Sequence, residues 1–202
     1  MSKIISAEEA VKLIKDNQTL CISGFGATAN TEEILIALEQ RFVQTGSPRN
    51  LSVMHGAGIG DKKDSGMNHF AHEGLIKKVY CGHIGLAPKL GQLVADNKVE
   101  CYMIPQGVVI QTVQAIAGKK PGVITHVGLR TFCDPRVEGC RPNSISKEEV
   151  VKLIEIEGKE YLFYKARPVD VAIIRGTTAD EFGNITFKVQ YSGAVPDGVD
   201  LS

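Results

Sequence analysis

The sequence lacks an excess of either charge, a long apolar run and any paired cysteine motif. Lys plus Arg and Asp plus Glu both number 23, so the formal net charge is zero and no basic face for nucleic acid is indicated. No apolar segment approaches the roughly 20 residues that a membrane-spanning helix requires. The N-terminal stretch carries Glu8 and Glu9 and has no signal-peptide core. These absences predict a cytoplasmic protein with no nucleic-acid or membrane partner.

The cysteines indicate neither a zinc site nor a disulfide framework. There are five, and no two of them form a Cys-x-x-Cys pair. His69 and His72 are one helical turn apart, but a metal site needs further ligands and none is evident nearby. The sequence therefore predicts no metal and no bound cofactor, with most cysteines reduced in the core.

Short apolar runs alternate with segments of helical periodicity along most of the chain. This alternation predicts an α/β fold with an open, mostly parallel sheet and helices on both faces. A β-hairpin is predicted near 150–164, with a helix capped at Ser146 as the alternative. Strands are predicted at 19–23, 51–54, 79–81, 101–104 and 171–174, and helices after Ser6, after Asn30 or Thr31, at 70–76, at 88–97 and after Gly107.

The stretch 99–117 has the pattern of a strand, a tight loop and a helix. Gln106 is the one long polar side chain between two apolar elements, and Pro105 and Gly107 flank it. Ligands of open α/β sheets lie at the carboxyl ends of the strands, and backbone N–H groups at a helix N-terminus attract negative charge. Taken alone, however, the local pattern favours an ordinary turn with an exposed glutamine.

A second loop, Gly24-Phe25-Gly26, also follows a strand and precedes a helix. With Ala29 it matches a loose dinucleotide fingerprint, G-x-G-x-x-A. That fingerprint also requires an acidic residue at the end of the second strand, which here ends at His55. A tight turn, or a loop that borders another ligand, is the better interpretation, and a stand-alone nucleotide-binding module remains the alternative.

In combination, the loops resemble those of family I coenzyme A transferases, most closely the single-chain acetate or propionate CoA-transferases. The resemblance spans roughly residues 3–188 and rests on several short phrases that occur in the family's order. They are 19–26, Asn68-His-Phe-Ala-His-Glu-Gly-Leu75, Pro105-Gln-Gly107, 120–123, 131–135, 160–164 and 174–187.

The resemblance implies a ping-pong reaction between an acyl-CoA and a short-chain carboxylate such as acetate, in which a glutamate forms a glutamyl-CoA thioester. It implies that Gln106 positions the substrate carboxylate and helps to stabilise the oxyanion. Gly24, Phe25, Gly26 and Gly107 are expected to line the substrate-binding cleft, where Gly107 leaves the loop backbone unrestrained. Coenzyme A thioester would be a substrate rather than a resident cofactor.

The family's nucleophilic glutamate lies in a Glu-x-Gly motif in the second half of the enzyme, and this sequence has no match to it. The Glu-Gly pairs at Glu73, Glu138 and Glu157 lie in first-half segments. Residues 1–188 are therefore predicted to be an incomplete N-terminal, alpha-like domain and 189–202 a divergent or disordered tail. The expected partners are a second CoA-transferase half or beta-like subunit and further copies of the chain. An inactive truncated remnant is the other interpretation.

Overall fold

Five parallel strands form the central sheet of the computed structural model, which describes residues 3–187. The helices are α1 (Ala7–Val11), α2 (Glu32–Thr45), α3 (Pro88–Ala95) and α4 (Gln106–Ala117), with a 3₁₀ helix at Gly66–Phe70. The strands are β1 (Thr19–Ile22), β2 (Leu51–His55), β3 (Ile76–Cys81), β4 (Glu100–Met103), β5 (Gly122–Thr125), β6 (Val151–Ile156), β7 (Lys159–Lys165), β8 (Val171–Ile173), β9 (Thr178–Ala179) and β10 (Ile185–Thr186).

The large sheet has the order β4-β3-β2-β1-β8, and every neighbouring pair in it is parallel. The strands predicted from the sequence are those that compose it. The fold class is therefore confirmed, with strand ends differing by one to three residues. Ser6 also caps α1 as expected, since its Oγ accepts from the Glu9 N–H at 3.2 Å and Glu9 Oε2 accepts from the Ser6 N–H at 3.1 Å.

Successive residues of each central strand point to opposite faces of this sheet. Val53 and Val79 face α1, α2 and α3, whereas Met54, Tyr80 and Tyr102 face α4 and the antiparallel strands. Helices consequently lie on both faces, and the sheet is buried between two separate core clusters.

The predicted hairpin is present as β6 and β7, and β5 pairs with β7 to make a three-stranded antiparallel sheet. The alternative, a helix capped at Ser146, is wrong. The Ser146 hydroxyl instead accepts from the Cys101 N–H at 2.8 Å and donates to the Cys101 carbonyl at 2.9 Å. A side chain committed to the edge of β4 in this way cannot cap a helix.

The helix predicted at 70–76 is also wrong. The helical turn lies earlier, at Gly66–Phe70, and Ile76 already begins β3. Gly74 has a φ of +89°, a conformation that interrupts a right-handed helix. Leu75, with 0% exposure, then enters the core just before the strand, and Ile76, with 2% exposure, begins it.

The two edges of the large sheet differ. At β4, residues of the loop between β5 and β6 cover the edge: Ser146 bonds to Cys101, and the Cys140 carbonyl accepts from the Met103 N–H at 2.9 Å. At β8, no further strand pairs beyond Val171–Ile173 within residues 3–187. The sheet is thus closed on one side and open on the other.

The predicted tail at 189–202 lies outside the described residues, so the division at 188 stays a prediction. Within residues 3–187, no helix combines the length and the apolar character needed to cross a bilayer.

Candidate active site

The loops at the carboxyl ends of β1 and β2 are joined by backbone hydrogen bonds. The Gly26 N–H donates to the Gly58 carbonyl at 2.7 Å, and the Gly60 N–H donates to the Gly26 carbonyl at 2.8 Å. Gly26 has a φ of +60°, and a side chain there would strain this turn. The 24–26 loop is thereby fixed at the carboxyl-end rim of the sheet.

The next two loops bring β3 and α4 to the same rim. The Gly82 N–H donates to the Gly56 carbonyl at 3.1 Å, and the Ile104 N–H donates to the Cys81 carbonyl at 2.9 Å. A Cβ on Gly82 would lie 2.4 Å from the Gly56 carbonyl oxygen and 3.0 Å from Gln106 Cα. Backbone rather than side chains fills this contact, so Gln106 approaches the loops of β2 and β3 closely.

Gln106 is the first residue of α4 rather than a residue of a separate loop. Pro105 occupies the N-cap position and offers no side-chain cap, so the first-turn N–H groups lack a capping partner from it. The Gln106 side chain is exposed and has no hydrogen-bond partner within residues 3–187. An unsatisfied amide and a helix N-terminus therefore face the same open rim, which suits an oxygen that carries negative charge.

The expectation for Gly107 needs a correction. Its φ is not in the left-handed region, and a Cβ built there would meet nothing within 4 Å. Gly107 is an ordinary second residue of a helix, so neither conformation nor space requires glycine at this position. Its assignment to substrate binding rests on position alone and stays a prediction.

Gly24 and Phe25 occupy different environments. A Cβ on Gly24 would lie 2.6 Å from Asn30 Oδ1, whereas Phe25 projects outward with 58% exposure. The N–H groups of Phe25 and Gly26 already donate to the Thr28 and Gly58 carbonyls, and α2 begins only at Glu32, so neither of these two N–H groups is free for a phosphate at a helix N-terminus, where the dinucleotide fingerprint places it. The loop is a wall of the rim, and its role in substrate binding stays a prediction.

His55 lies just below the rim, at the end of β2, and no sequence motif marks it as a functional residue. It is 2% exposed, and its Nδ1 contacts the Ala57 carbonyl oxygen at 2.6 Å. Burial, with a smaller contribution from the charge of His83, lowers the pKa of His55 to about 4. The ring is thus neutral near pH 7 and donates its Nδ1 proton to Ala57, which fixes the start of the 55–60 loop.

The predicted histidine pair forms an ion-pair cluster with two glutamates of α2. His69 Nδ1 lies 2.7 Å from Glu39 Oε2, His69 Nε2 lies 2.9 Å from Glu32 Oε1, and His72 Nε2 lies 2.7 Å from Glu39 Oε1. Both nitrogens of His69 are engaged by different carboxylates. In residues 3–187, no group of three or more His, Cys, Asp or Glu side chains is arranged to hold a metal ion.

The family model for coenzyme A transferase matches residues 4–192. The chain belongs to the coenzyme A transferase family. It is 46% identical to a caffeate CoA-transferase of Acetobacterium woodii over all 202 residues, and 44% identical to the acetate CoA-transferase YdiF of Escherichia coli K12 over 92% of this chain. These matches cover 38% and 35% of the two relatives.

The match to the alpha subunit of the acetoacetyl-CoA:acetate/butyrate CoA transferase of Clostridium acetobutylicum is 28% identical and covers 76% of that subunit. The chain thus spans little more than a third of the length of the caffeate and acetate CoA-transferases named above. It corresponds to the greater part of a separate alpha subunit.

Solved structures of coenzyme A transferases have the same fold as this chain. A crystal structure of the acyl-CoA transferase YdiF from E. coli O157:H7, described as a thioester complex with CoA, superimposes with a TM-score of 0.90 at 43% identity. The superposition covers 92% of this chain and 38% of the YdiF chain. Glutaconate coenzyme A-transferase from Acidaminococcus fermentans, at 15% identity and a TM-score of 0.70, shares the fold.

Proposed function

We propose that this chain is the N-terminal, alpha-like portion of an acyl-CoA:carboxylate CoA-transferase. Its substrates would be a short-chain acyl-CoA, such as acetyl- or propionyl-CoA, and acetate or another short carboxylate. The observation that supports this most is the placement of Gln106: a free amide on an uncapped helix N-terminus, at the carboxyl rim of a CoA-transferase fold. The related YdiF structure, which holds a thioester with CoA, supports the same chemistry.

In the proposed reaction, a glutamate outside this chain attacks the thioester carbonyl, and the C–S bond breaks to give an acyl-glutamyl anhydride and CoA thiolate. The thiolate then attacks the glutamyl carbonyl, which forms the glutamyl-CoA thioester and releases the acyl group as a free carboxylate. The incoming carboxylate then reverses these steps and takes up CoA. Charge develops on the carbonyl oxygen each time. Gln106 would donate its side-chain N–H to that oxygen, and the N-terminus of α4 would add its partial positive charge.

The second half is proposed to come from another polypeptide or from a continuation of this one, and we expect the assembly to be a cytoplasmic homo-oligomer. The isolated chain should not transfer CoA, since none of its Glu-Gly pairs matches the nucleophile motif. Glu157, for example, forms the turn between β6 and β7, and Glu73 pairs with Lys98 at 3.4 Å.

The test is to complement the chain with a polypeptide that carries the Glu-x-Gly half and to follow exchange between acetyl-CoA and propionate. Gln106→Ala should slow turnover by the equivalent of about 2–4 kcal/mol, as expected for a lost oxyanion donor, while the circular dichroism spectrum stays unchanged. Borohydride should trap the thioester on the added polypeptide. Turnover by the isolated chain, with the trapped thioester located in it, would contradict the proposal.

A thermal-shift measurement addresses the nucleotide-binding alternative. A ligand that binds only the folded state raises the unfolding temperature. Stabilisation by NADH without any response to CoA would favour that alternative over a transferase.

A further inference from the structure

His83 stands at the carboxyl end of β3, between the loop of β2 and the start of α4. The preceding residue, Gly82, packs against Gln106: a Cβ on Gly82 would lie 3.0 Å from Cα and from Cβ of Gln106. On its other side the His83 ring meets the 56–60 loop, whose Gly58 carbonyl accepts from Gly26. His83 therefore lies in the same row of backbone contacts that links the 24–26 loop to Gln106.

Two glycines hold the His83 ring between them. A Cβ on Gly58 would lie 2.5 Å from His83 Nδ1, and a Cβ on Gly85 would lie 3.1 Å from both Cε1 and Nε2. Gly58 has no positive φ, so its conformation does not require glycine. What excludes a side chain at position 58 is the imidazole itself, which packs directly on the Gly58 backbone.

The imidazole is exposed, and within residues 3–187 neither of its ring nitrogens has a hydrogen-bond partner. By contrast, His55 is buried and bonded to Ala57, and His69 and His72 are engaged by glutamates. His83 thus combines a ring wedged against backbone with a free N–H donor at the rim. A donor in this setting is available to a ligand without the loss of an internal bond.

We propose that His83 is a second side-chain contact for the substrate carboxylate, which it meets from the β3 side while Gln106 meets it from α4. The carboxylate class rests on the proposed function. The location of the ring and its free donor rest on the geometry of the rim. His83 would therefore contribute to binding of the carboxylate, whereas Gln106 would donate a hydrogen bond to the reacting oxygen.

The direct test uses the chain itself and acetate as the probe. The ¹³C-edited Cε1–H resonances of the five histidines are recorded at constant pH while sodium acetate replaces sodium chloride at equal ionic strength, with His83→Asn used to assign the His83 signal. An acetate ion that accepts the ring N–H changes the surroundings of Cε1, so acetate should shift the His83 resonance in a saturable way. The exposed His126 on the loop after β5 is the internal control.

A matched pair of glycine variants tests whether the position of the His83 ring depends on its packing against Gly58. Gly58→Ala should displace the ring and abolish the acetate response without unfolding the chain. Gly91→Ala should keep the response, because a Cβ on Gly91 in α3 would meet nothing within 4 Å. An unchanged His83 signal in acetate, or an equal change at His126, overturns the proposal.

Kinetics of the complemented enzyme separate this inference from the proposed function. His83→Asn should raise KM for the carboxylate on the order of 10-fold with a smaller change in kcat, as loss of one hydrogen bond to a charged group predicts. If Gln106→Ala slows transfer while His83→Asn changes nothing, the function stands and the role of His83 is wrong. If no complemented form transfers CoA, the function is wrong, and the acetate titration still decides whether His83 binds carboxylates.

Discussion

The two faces of the parallel sheet are stabilised by different means, although the same strands supply both. On the α1–α3 face, Val53 and Val79 pack against α2 residues such as Leu35 and Leu38, all with no exposure. On the opposite face, Tyr80 and Tyr102 stack with their ring centroids 5.1 Å apart. One face is therefore built mainly from aliphatic side chains, and the other contains polar groups that must each find a partner.

The polar face meets this demand through Glu148. Its carboxylate accepts from the Tyr80 hydroxyl and from Arg167 Nε, both at 2.7 Å, and from Lys78 Nζ at 3.2 Å. The Arg167 guanidinium also lies over the Tyr80 ring, 4.8 Å from its centroid. Burial and the bond to Glu148 raise the pKa of Tyr80 well above its usual range, so the hydroxyl remains a donor. Apolar area stabilises one face, whereas directional bonds fix the geometry of the other.

The largest expected effect is on the apolar face. Leu38→Ala should lower the free energy of unfolding by about 2–5 kcal/mol, because the cavity it leaves is lined by close-packed core residues. Denaturant titration measures the change. Ile36→Ala on the same helix, at a position 36% exposed, should cost clearly less. Equal losses for the two variants would mean that α2 does not pack as described.

A smaller effect is expected on the polar face. Tyr80→Phe removes the hydroxyl that donates to Glu148 and should cost about 1.5–3 kcal/mol, the range for a hydrogen bond to a charged group. Tyr161→Phe is the matched control, since its hydroxyl has no partner within residues 3–187. A neutral Tyr80→Phe in denaturant titration would show that the network contributes no net stability.

The sequence predicts the apolar face better than the polar one, for a physical reason. The runs that form the central strands and the periodic Ile34, Leu35, Leu38 and Phe42 record burial, which is a local pattern. The bonds of Glu148 join positions 70, 68 and 19 residues away, and no local pattern encodes such pairings. The turn at Gly74 is not predicted for a related reason. The spacing of the apolar residues in 70–76 fits a helix, and the sequence does not show that Gly74 adopts a positive φ.

The sequence likewise predicts some residues of the rim and not others. The sequence places Gln106 beside a helix N-terminus because Pro105 and Gly107 bracket it, and the structure moves it by only one step, into the helix. The Gly-His-Ile-Gly stretch at 82–85 carries no signal alone. His83 becomes noteworthy only when Gly58, 25 positions earlier, is seen packed against its ring.

The ion-pair cluster beside the apolar face predicts a modest pH dependence. Its carboxylates raise the pKa of His69 above 6.5 even though burial opposes this, and the two histidines lower the pKa of Glu39 below 4.5 despite its burial. The His69 contribution is complete below pH 6.5 and is lost as pH rises through its raised pKa. The Glu39 contribution is present above pH 4.5 and is lost as pH falls through its lowered pKa.

The difference in unfolding free energy between the wild type and His69→Asn should accordingly be greatest between pH 4.5 and 6.5 and shrink toward pH 9. Denaturant titrations at several pH values measure it. Glu39→Gln, which removes a partner of both His69 and His72, should flatten the same profile. Parallel stability curves for the wild type and His69→Asn would exclude this coupling.

The smallest effects on stability are expected at the rim, because Gln106 and Gly107 are exposed and lie outside both core clusters. Gly107→Ala should stabilise the chain by up to about 1 kcal/mol, because alanine is the better helix former and its Cβ meets nothing within 4 Å. Gln106→Ala should stay within about 0.5 kcal/mol of the wild type, since its side chain is exposed. Thermal unfolding of both variants tests this, and a large loss in either would place the start of α4 in the core.

The unpaired edge of β8 is a place where another strand could add to the large sheet. Because the loop containing Cys140 and Ser146 covers the β4 side, the edge of the large sheet that is left unpaired within residues 3–187 is β8, Val171–Ile173. Each copy has one such edge, so two copies that pair through it leave no β8 edge for a third. Association through this edge should therefore stop at two copies, and a complementary half that occupies the edge should prevent even that.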